Sequence, residues 1–143
     1  MSTDENKTIV RRYFTEVLNE GNLAALDTLA EDDYIENNPL PGQGTGREGF
    51  KQRVGGLRAA FPDIRHTIED MVAKGDRVAL RWSMRATHGG EILGIPATGQ
   101  QVTMAGLDIY RLADGRLAEH WDQVDVMGLL QQLGVIPAPS EAG

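Results

Sequence analysis

The 143-residue sequence has no cysteine, which removes disulfides, thiolate metal sites, iron–sulfur clusters and cysteine nucleophiles from consideration. Its three histidines are scattered, without the spacing of a metal site, so no metal is expected. The glycine-rich run Gly42-Gln43-Gly44-Thr45-Gly46 is not followed by Gly-Lys-Ser/Thr, so it is not a phosphate loop. No apolar run approaches the roughly 20 residues that span a bilayer. Met1-Ser2-Thr3-Asp4-Glu5-Asn6-Lys7 lacks the basic start and apolar core of a secretion signal, so a cytoplasmic protein is expected. Positive charge is scarce: Lys+Arg 14 against Asp+Glu 21 gives a net charge of −7. That balance repels phosphate backbones and anionic lipid, so neither nucleic acid nor membrane is an expected partner. What is present, 41% hydrophobic and 24% charged residues, suits one soluble domain over 1–143. A chain of this length buries roughly 70% of its unfolded surface, so it needs no staples.

Ile9, Val10, Tyr13, Phe14, Val17 and Leu18 form one apolar helical face, with Thr3 or Asp4 as cap and Gly21 as stop. Asn22 opens a short second helix over 23–29. An extended piece, Tyr34-Ile35-Glu36-Asn37, leads into a Pro/Gly loop, and Thr45 opens a third helix that Pro62 closes. Thereafter the period alternates, predicting strands over 64–73, 77–87, 100–112 and 116–125, then a helix over 126–133. In the 77–87 strand Val78, Leu80, Trp82, Met84 and Ala86 point one way, and Arg77, Arg81, Ser83 and Arg85 the other. Residues 135–143 read as a frayed tail. Helices first and antiparallel strands after is the order of an α+β domain, with helices over one face of a curved sheet. His66 and His88 read as surface or loop residues.

The last two strands hold the most informative residues. A three-residue loop, Ala113-Asp114-Gly115, sets Tyr110 opposite Ala118, Asp108 opposite His120 and Asp122 opposite Gly106. Met104, Asp108, Tyr110, His120, Asp122 and Val124 then share a face, and Leu107, Ile109, Leu117 and Trp121 the other. A two-residue Asp114-Gly115 turn would instead turn Asp122 away from Asp108. Two carboxyl groups beside an imidazole in an apolar setting perturb one another and can exchange a proton with a carbon acid or an activated water. An Asp–His pair across two strands is equally a satisfied hydrogen bond, and spacing alone does not choose. Arg81 is a candidate to orient an anion, and Tyr34 and Asn37 are candidates for a pocket rim. Trp82 faces opposite to Arg81, so only one of the two can line the pocket.

The order of elements, the helix containing Thr8-Ile9-Val10-Arg11-Arg12 and the segment His88-Gly89-Gly90-Glu91-Ile92-Leu93-Gly94-Ile95-Pro96-Ala97-Thr98-Gly99 resemble the SnoaL-like polyketide cyclases of the NTF2-like superfamily. So does the closing stretch Tyr110-Arg111-Leu112-Ala113-Asp114-Gly115-Arg116 … Glu119-His120-Trp121-Asp122. The resemblance implies a cone-shaped α+β barrel around a hydrophobic pocket and a cofactor-independent enzyme acting on an aromatic, anthracycline-type polyketide. It makes Asp122 the acid/base, with Asp108 as partner where the family carries histidine, and His120 as neighbour. Tyr34, Asn37, Arg81, Trp82, Met104 and Tyr110 become candidate substrate contacts. Ring closure by aldol condensation and hydroxylation both occur among such relatives. A limonene-epoxide-hydrolase-like Asp–Arg–Asp set for water addition, and a binding or dimerisation module, stand as alternatives. The apolar second face of the last hairpin suggests a homodimer.

Overall fold

The computed structural model describes residues 1–139. Helix α1 spans Thr3–Arg12 and starts one residue earlier than the expected cap, at Ser2. The reason is a capping box: the Ser2 hydroxyl accepts from the Glu5 N–H at 3.0 Å, and the Glu5 carboxylate accepts from the Ser2 N–H at 3.4 Å. Its apolar stripe continues without a break, but over Tyr13–Asn19 the hydrogen bonding widens into a π-helix, which ends before Gly21 at φ 78°. A 3₁₀ turn, Leu23–Ala25, and helix α2, Leu26–Leu29, follow; Asn22 makes no side-chain cap. Helix α3, Gly46–Ala60, stops where Phe61 precedes Pro62, as a proline requires. Helix α4 spans Val126–Gln132.

Five strands, β1 (Ala30–Glu36), β2 (Arg65–Lys74), β3 (Arg77–Thr87), β4 (Gln101–Ala113) and β5 (Arg116–Val124), form one open sheet in the order β1-β5-β4-β3-β2. Only β1–β5 is parallel. The α+β expectation holds, with an unclosed mixed sheet as its frame. The expected extended piece at Tyr34 is the end of β1, whose burial alternates too weakly to announce a longer strand.

Helix α1 packs on β2, β3 and β5, and α3 on β1. Between helices and sheet, Val10, Tyr13, Phe14, Val17, Phe50 and Val54 meet Val78, Leu80, Trp82 and Met84, all buried. Each such side chain contributes about 1.5–3 kcal/mol. The phase of β3 matches the sequence expectation, so Trp82 faces the interior and Arg81 is exposed on the outer face. Arg81 is therefore not a pocket residue, because a strand cannot turn neighbouring side chains to one face.

His66 and His88 are not surface residues. His66 lies buried on the inner face of β2, and His88 is fully buried beside Phe61. Its Nδ1 accepts from the Thr98 N–H at 3.3 Å, and its backbone bonds Gln100 and Gly99, pinning both ends of the segment between β3 and β4. The expected frayed tail is partly ordered: the Val135 N–H donates to the Leu130 carbonyl at 3.0 Å, while residues 140–143 lie outside the described residues. Among the described residues no helix is long and apolar enough to cross a membrane.

Candidate active site

The β4–β5 hairpin turns through two residues, Asp114 at φ 50° and Gly115 at φ 76°, with Ala113 paired to Arg116 and Leu112 to Leu117. Arg111 then pairs with Glu119, so Ala118 is an extra residue, a β-bulge. The three-residue-loop register is thus corrected: Asp108 stands opposite Asp122, Tyr110 opposite His120 and Gly106 opposite Val124. A two-residue turn alone would have parted the acids. The bulge adds one residue to β5 and restores their common face, because side chains alternate with period two. It also turns Leu117 into the core, so Leu117 is not part of the outer apolar face.

On that inner face His120 lies between two carboxyl groups. Its Nδ1 is 2.8 Å from Glu36 Oε1 and its Nε2 3.2 Å from Asp108 Oδ1. The Nε2 contact lies off the hydrogen-bonding direction, so it is a charge contact rather than an aligned bond. The ring stacks on Tyr110 with centroids 4.5 Å apart, and the Tyr110 hydroxyl donates to Asp108 Oδ2 at 3.2 Å. From α3, Arg53 reaches across: Nη2 donates to Asp122 Oδ2 at 2.9 Å, Nη1 lies 3.4 Å from Glu36 Oε1, and Nη1 donates to the Asn38 carbonyl at 2.8 Å. The Asn38 side-chain oxygen accepts from the Asp122 N–H at 3.3 Å. The Asp122 side chain keeps only 9% of its surface in solvent, with Arg53 and Asn38 lying against it.

Three carboxyl groups here face two cationic ones, so one carboxyl group is in excess. Burial raises the Asp122 pKa above the ordinary carboxylate value; His120 and Arg53 oppose that, and Asp108 and Glu36 reinforce it. Glu36 goes the other way. Burial would raise it, but the hydrogen bond from His120 and the charges of His120 and Arg53 hold it below its usual value. Burial would discharge His120, yet its contacts with Asp108 and Glu36 lift its pKa to about 9, leaving an imidazolium at neutral pH. Burial keeps the phenols of Tyr13, Tyr34 and Tyr110 protonated. Asp108, His120 and Asp122 bring ligand-type atoms within 4.8 Å of one another. An imidazolium has no lone pair to give a metal, and Arg53 already holds Asp122, so the set suits proton and charge transfer better than metal binding.

The structure thus brings Asp108, His120 and Asp122 together. Tyr110 is buried among them as a support. Tyr34 is buried, stacked on Phe50 at 4.1 Å, with its hydroxyl 3.4 Å from Glu36. The Asn37 side chain donates to the His120 carbonyl and to Glu119, a strand-end tie rather than a free rim group. Trp82 and the half-buried Met104 lie further along the same inner face, Trp82 directly across from Gly106. Glu36 and Arg53 escaped the sequence reading. Glu36 shares the strand phase of Tyr34, and Arg53 sits three residues after Phe50 and beside Val54, a charge on the edge of an apolar stripe.

The description "SnoaL-like polyketide cyclase" matches residues 8–133. Nogalonic acid methyl ester cyclase of Streptomyces nogalater is 30% identical over 127 residues, covering 87% of this chain and 94% of that protein. TsrD of Streptomyces laurentii superposes with a TM-score of 0.87 at 29% identity, covering 95% of this chain and 99% of that one. AclR of Streptomyces galilaeus, a proposed hydroxylase, gives a TM-score of 0.82 at 29% identity over 96% of this chain and 85% of its own. With the family pattern running through nearly every element described, this chain belongs to the SnoaL-like polyketide cyclase family.

Proposed function

We propose that this protein is a cofactor-independent cyclase of an aromatic, anthracycline-type polyketide, with Asp122 as its acid/base. The observation that carries this reading is the half-buried, raised-pKa Asp122 facing Asp108 and held by Arg53. The relative that acts on nogalonic acid methyl ester supports the substrate class. In the scheme, Asp122 removes a proton from the carbon between two carbonyls of the substrate. The enolate carbon attacks a ketone within the same molecule, one C–C bond forms, and the resulting alkoxide takes the proton back from Asp122. Arg53, with guanidinium donors beyond those bound to Asp122 and Asn38, stabilises the oxyanion. His120, fixed by Glu36 and Asp108, supplies positive charge without giving up its own proton. Entry of substrate requires Arg53 or the Asn38 segment to move, since both lie over Asp122.

The test is incubation with nogalonic acid methyl ester and mass spectrometry of the product. Ring closure gives an isomer, or that isomer minus water. Asp122→Asn, which keeps shape and removes proton exchange, is expected to lower kcat by about 10²–10⁴ with the fold intact; full activity in this variant would reject the assignment. Two other outcomes have support. Arg53 bridging Asp122 and Glu36 is an acid–Arg–acid set, with Arg53 in the place expected for Arg81, and water addition would appear as a gain of one water. Because AclR is a proposed hydroxylase, the same assay is also run with dioxygen and an added two-electron reductant, where hydroxylation would be seen as a gain of one oxygen with the second oxygen atom leaving as water.

The proposal includes a homodimer through the outer sheet face, supported by exposed Leu107 and Ile109 beside Trp121. Sedimentation should show a dimer that Ile109→Asp dissociates; a wild-type monomer at micromolar concentration rejects this part.

A further inference from the structure

Asp122 is covered from two directions, and the two covers are held differently. Arg53, from α3, bonds Asp122 Oδ2 at 2.9 Å and lies 3.4 Å from Glu36 Oε1. Withdrawing it would strand two partly buried carboxyl groups without their shared cation, and charge-assisted bonds of this kind are the strong ones. Asn38 is exposed, so water can replace what it gives up. Yet this one residue meets all three charged groups beneath it. Its N–H donates to Glu36 Oε2 at 3.2 Å, its carbonyl accepts from Arg53 Nη1 at 2.8 Å, and its side-chain oxygen accepts from the Asp122 N–H at 3.3 Å.

Strand pairing explains the last of these bonds. The parallel pairing of β1 with β5 ends at Glu36–His120, where the Asn37 N–H still bonds the His120 carbonyl. Donors alternate sides along a strand. The Asp125 N–H bonds the Ala105 carbonyl of β4, so the Asp122 N–H faces away from β4, toward the place that β1 has left. Asn38 supplies its acceptor there.

Beyond Asn38 the chain forms a self-contained piece. The Leu40 N–H donates to Gln43 Oε1 and the Gln43 N–H to the Leu40 carbonyl, both at 3.0 Å. Between them stand Pro41 and Gly42, the latter at φ 80°, the residues a type II turn favours. Pro39 and Pro41 have no N–H to give, and among the described residues no hydrogen bond ties 39–43 to the rest of the protein. The far end is anchored on α3. There the Gly44 N–H donates to Gln52 at 2.8 Å, and the Gly44 carbonyl lies so close to Gly49 that a Cβ would overlap it.

We propose that residues 38–44 are a strap that opens to admit the substrate to Asp122 and closes over it, with Asn38 as the latch and Arg53 staying on the acids. This inference rests on the polyketide reading of the Asp122 site. Opening uncovers Asp122 Oδ1, the oxygen that Arg53 leaves free, while the guanidinium stays where the oxyanion forms. Closing keeps water from the enolate. Asn38 is a positioning residue and takes no proton.

The test has two arms on the full chain. Amide hydrogen exchange of the free protein, read by NMR, reports the strap without any ligand. The Asn38 and Asp122 amides should show protection within about twofold of each other, and at least about tenfold below that of Trp121 and Gln123, whose N–H groups face β4. An Asp122 amide as protected as those two, or one that opens independently of Asn38, overturns the proposal. In the second arm, stopped-flow tryptophan fluorescence follows association of nogalonic acid methyl ester. The wild-type rate should level off with ester concentration at the opening rate, and Asn38→Ala should raise association and dissociation rates together, each about tenfold. A rate that climbs linearly in wild type, or a variant changed in dissociation alone, also overturns it. If Asn38→Ala fails to fold, the wild-type measurements still decide. Gated binding of the ester without ring closure would sink the cyclase reading and leave the strap standing; ring closure with ungated binding would do the reverse.

Discussion

His120 makes a measurable claim on stability. Its pKa of about 9 lies above the 6.5 of a free histidine, so the folded state holds the proton more tightly than the unfolded chain. The difference is about 3 kcal/mol. A raised pKa means that this stability is fully present below pH 6.5 and is lost as pH rises through about 9. The source is geometric: Glu36 at 2.8 Å and Asp108 at 3.2 Å flank a ring that keeps only 5% of its surface in solvent. Urea denaturation from about pH 6 to about pH 10 on wild type and His120→Gln isolates the contribution, because the variant carries every other titrating group. The wild-type advantage should shrink by about 3 kcal/mol across that range, most steeply between 6.5 and 9. Direct NMR titration should place the His120 midpoint near 9. A midpoint near 6.5 with parallel stability curves would refute the account, since the two carboxyl groups could then not be holding an imidazolium.

Arg53→Gln should leave Asp122 and Glu36 facing each other without their shared cation, so the Asp122 pKa rises further above the ordinary carboxylate value. Activity that needs ionised Asp122 should therefore lose its acid limb at higher pH in the variant than in wild type, read from kcat/KM against pH. The half-buried pair discounts the stability loss to about 1–3 kcal/mol, checked by urea denaturation; an unmoved acid limb would remove Arg53 from the site.

Much of this protein is written locally. The stripe from Ile9 to Leu18, the alternation from Val78 to Ala86 and the stop at Pro62 each report burial within a few residues, and the helices and antiparallel strands follow directly. The convergence of Asp108, His120 and Asp122 was legible too, because all three lie on one hairpin. Its register was not. Whether the turn takes two residues or three depends on a bulge at Ala118, and both arrangements bring the same polar face together, so the local pattern cannot separate them. The buried histidines show the same limit: nothing near His66 in sequence announces Asn19, Phe14 and Trp82 as its neighbours.

Composition and periodicity thus determined the class of fold, the inward faces of β3 and β4 and the acids that gather there, since those follow from side-chain alternation and burial. Tertiary structure alone decided what surrounds the acids. Glu36 comes from β1, joined to β5 by a parallel pairing of residues 84 positions apart, and Arg53 comes from a helix 69 positions before Asp122. Charges that meet across such distances shift one another's pKa values through space, and no local signal in the chain records which charges those are.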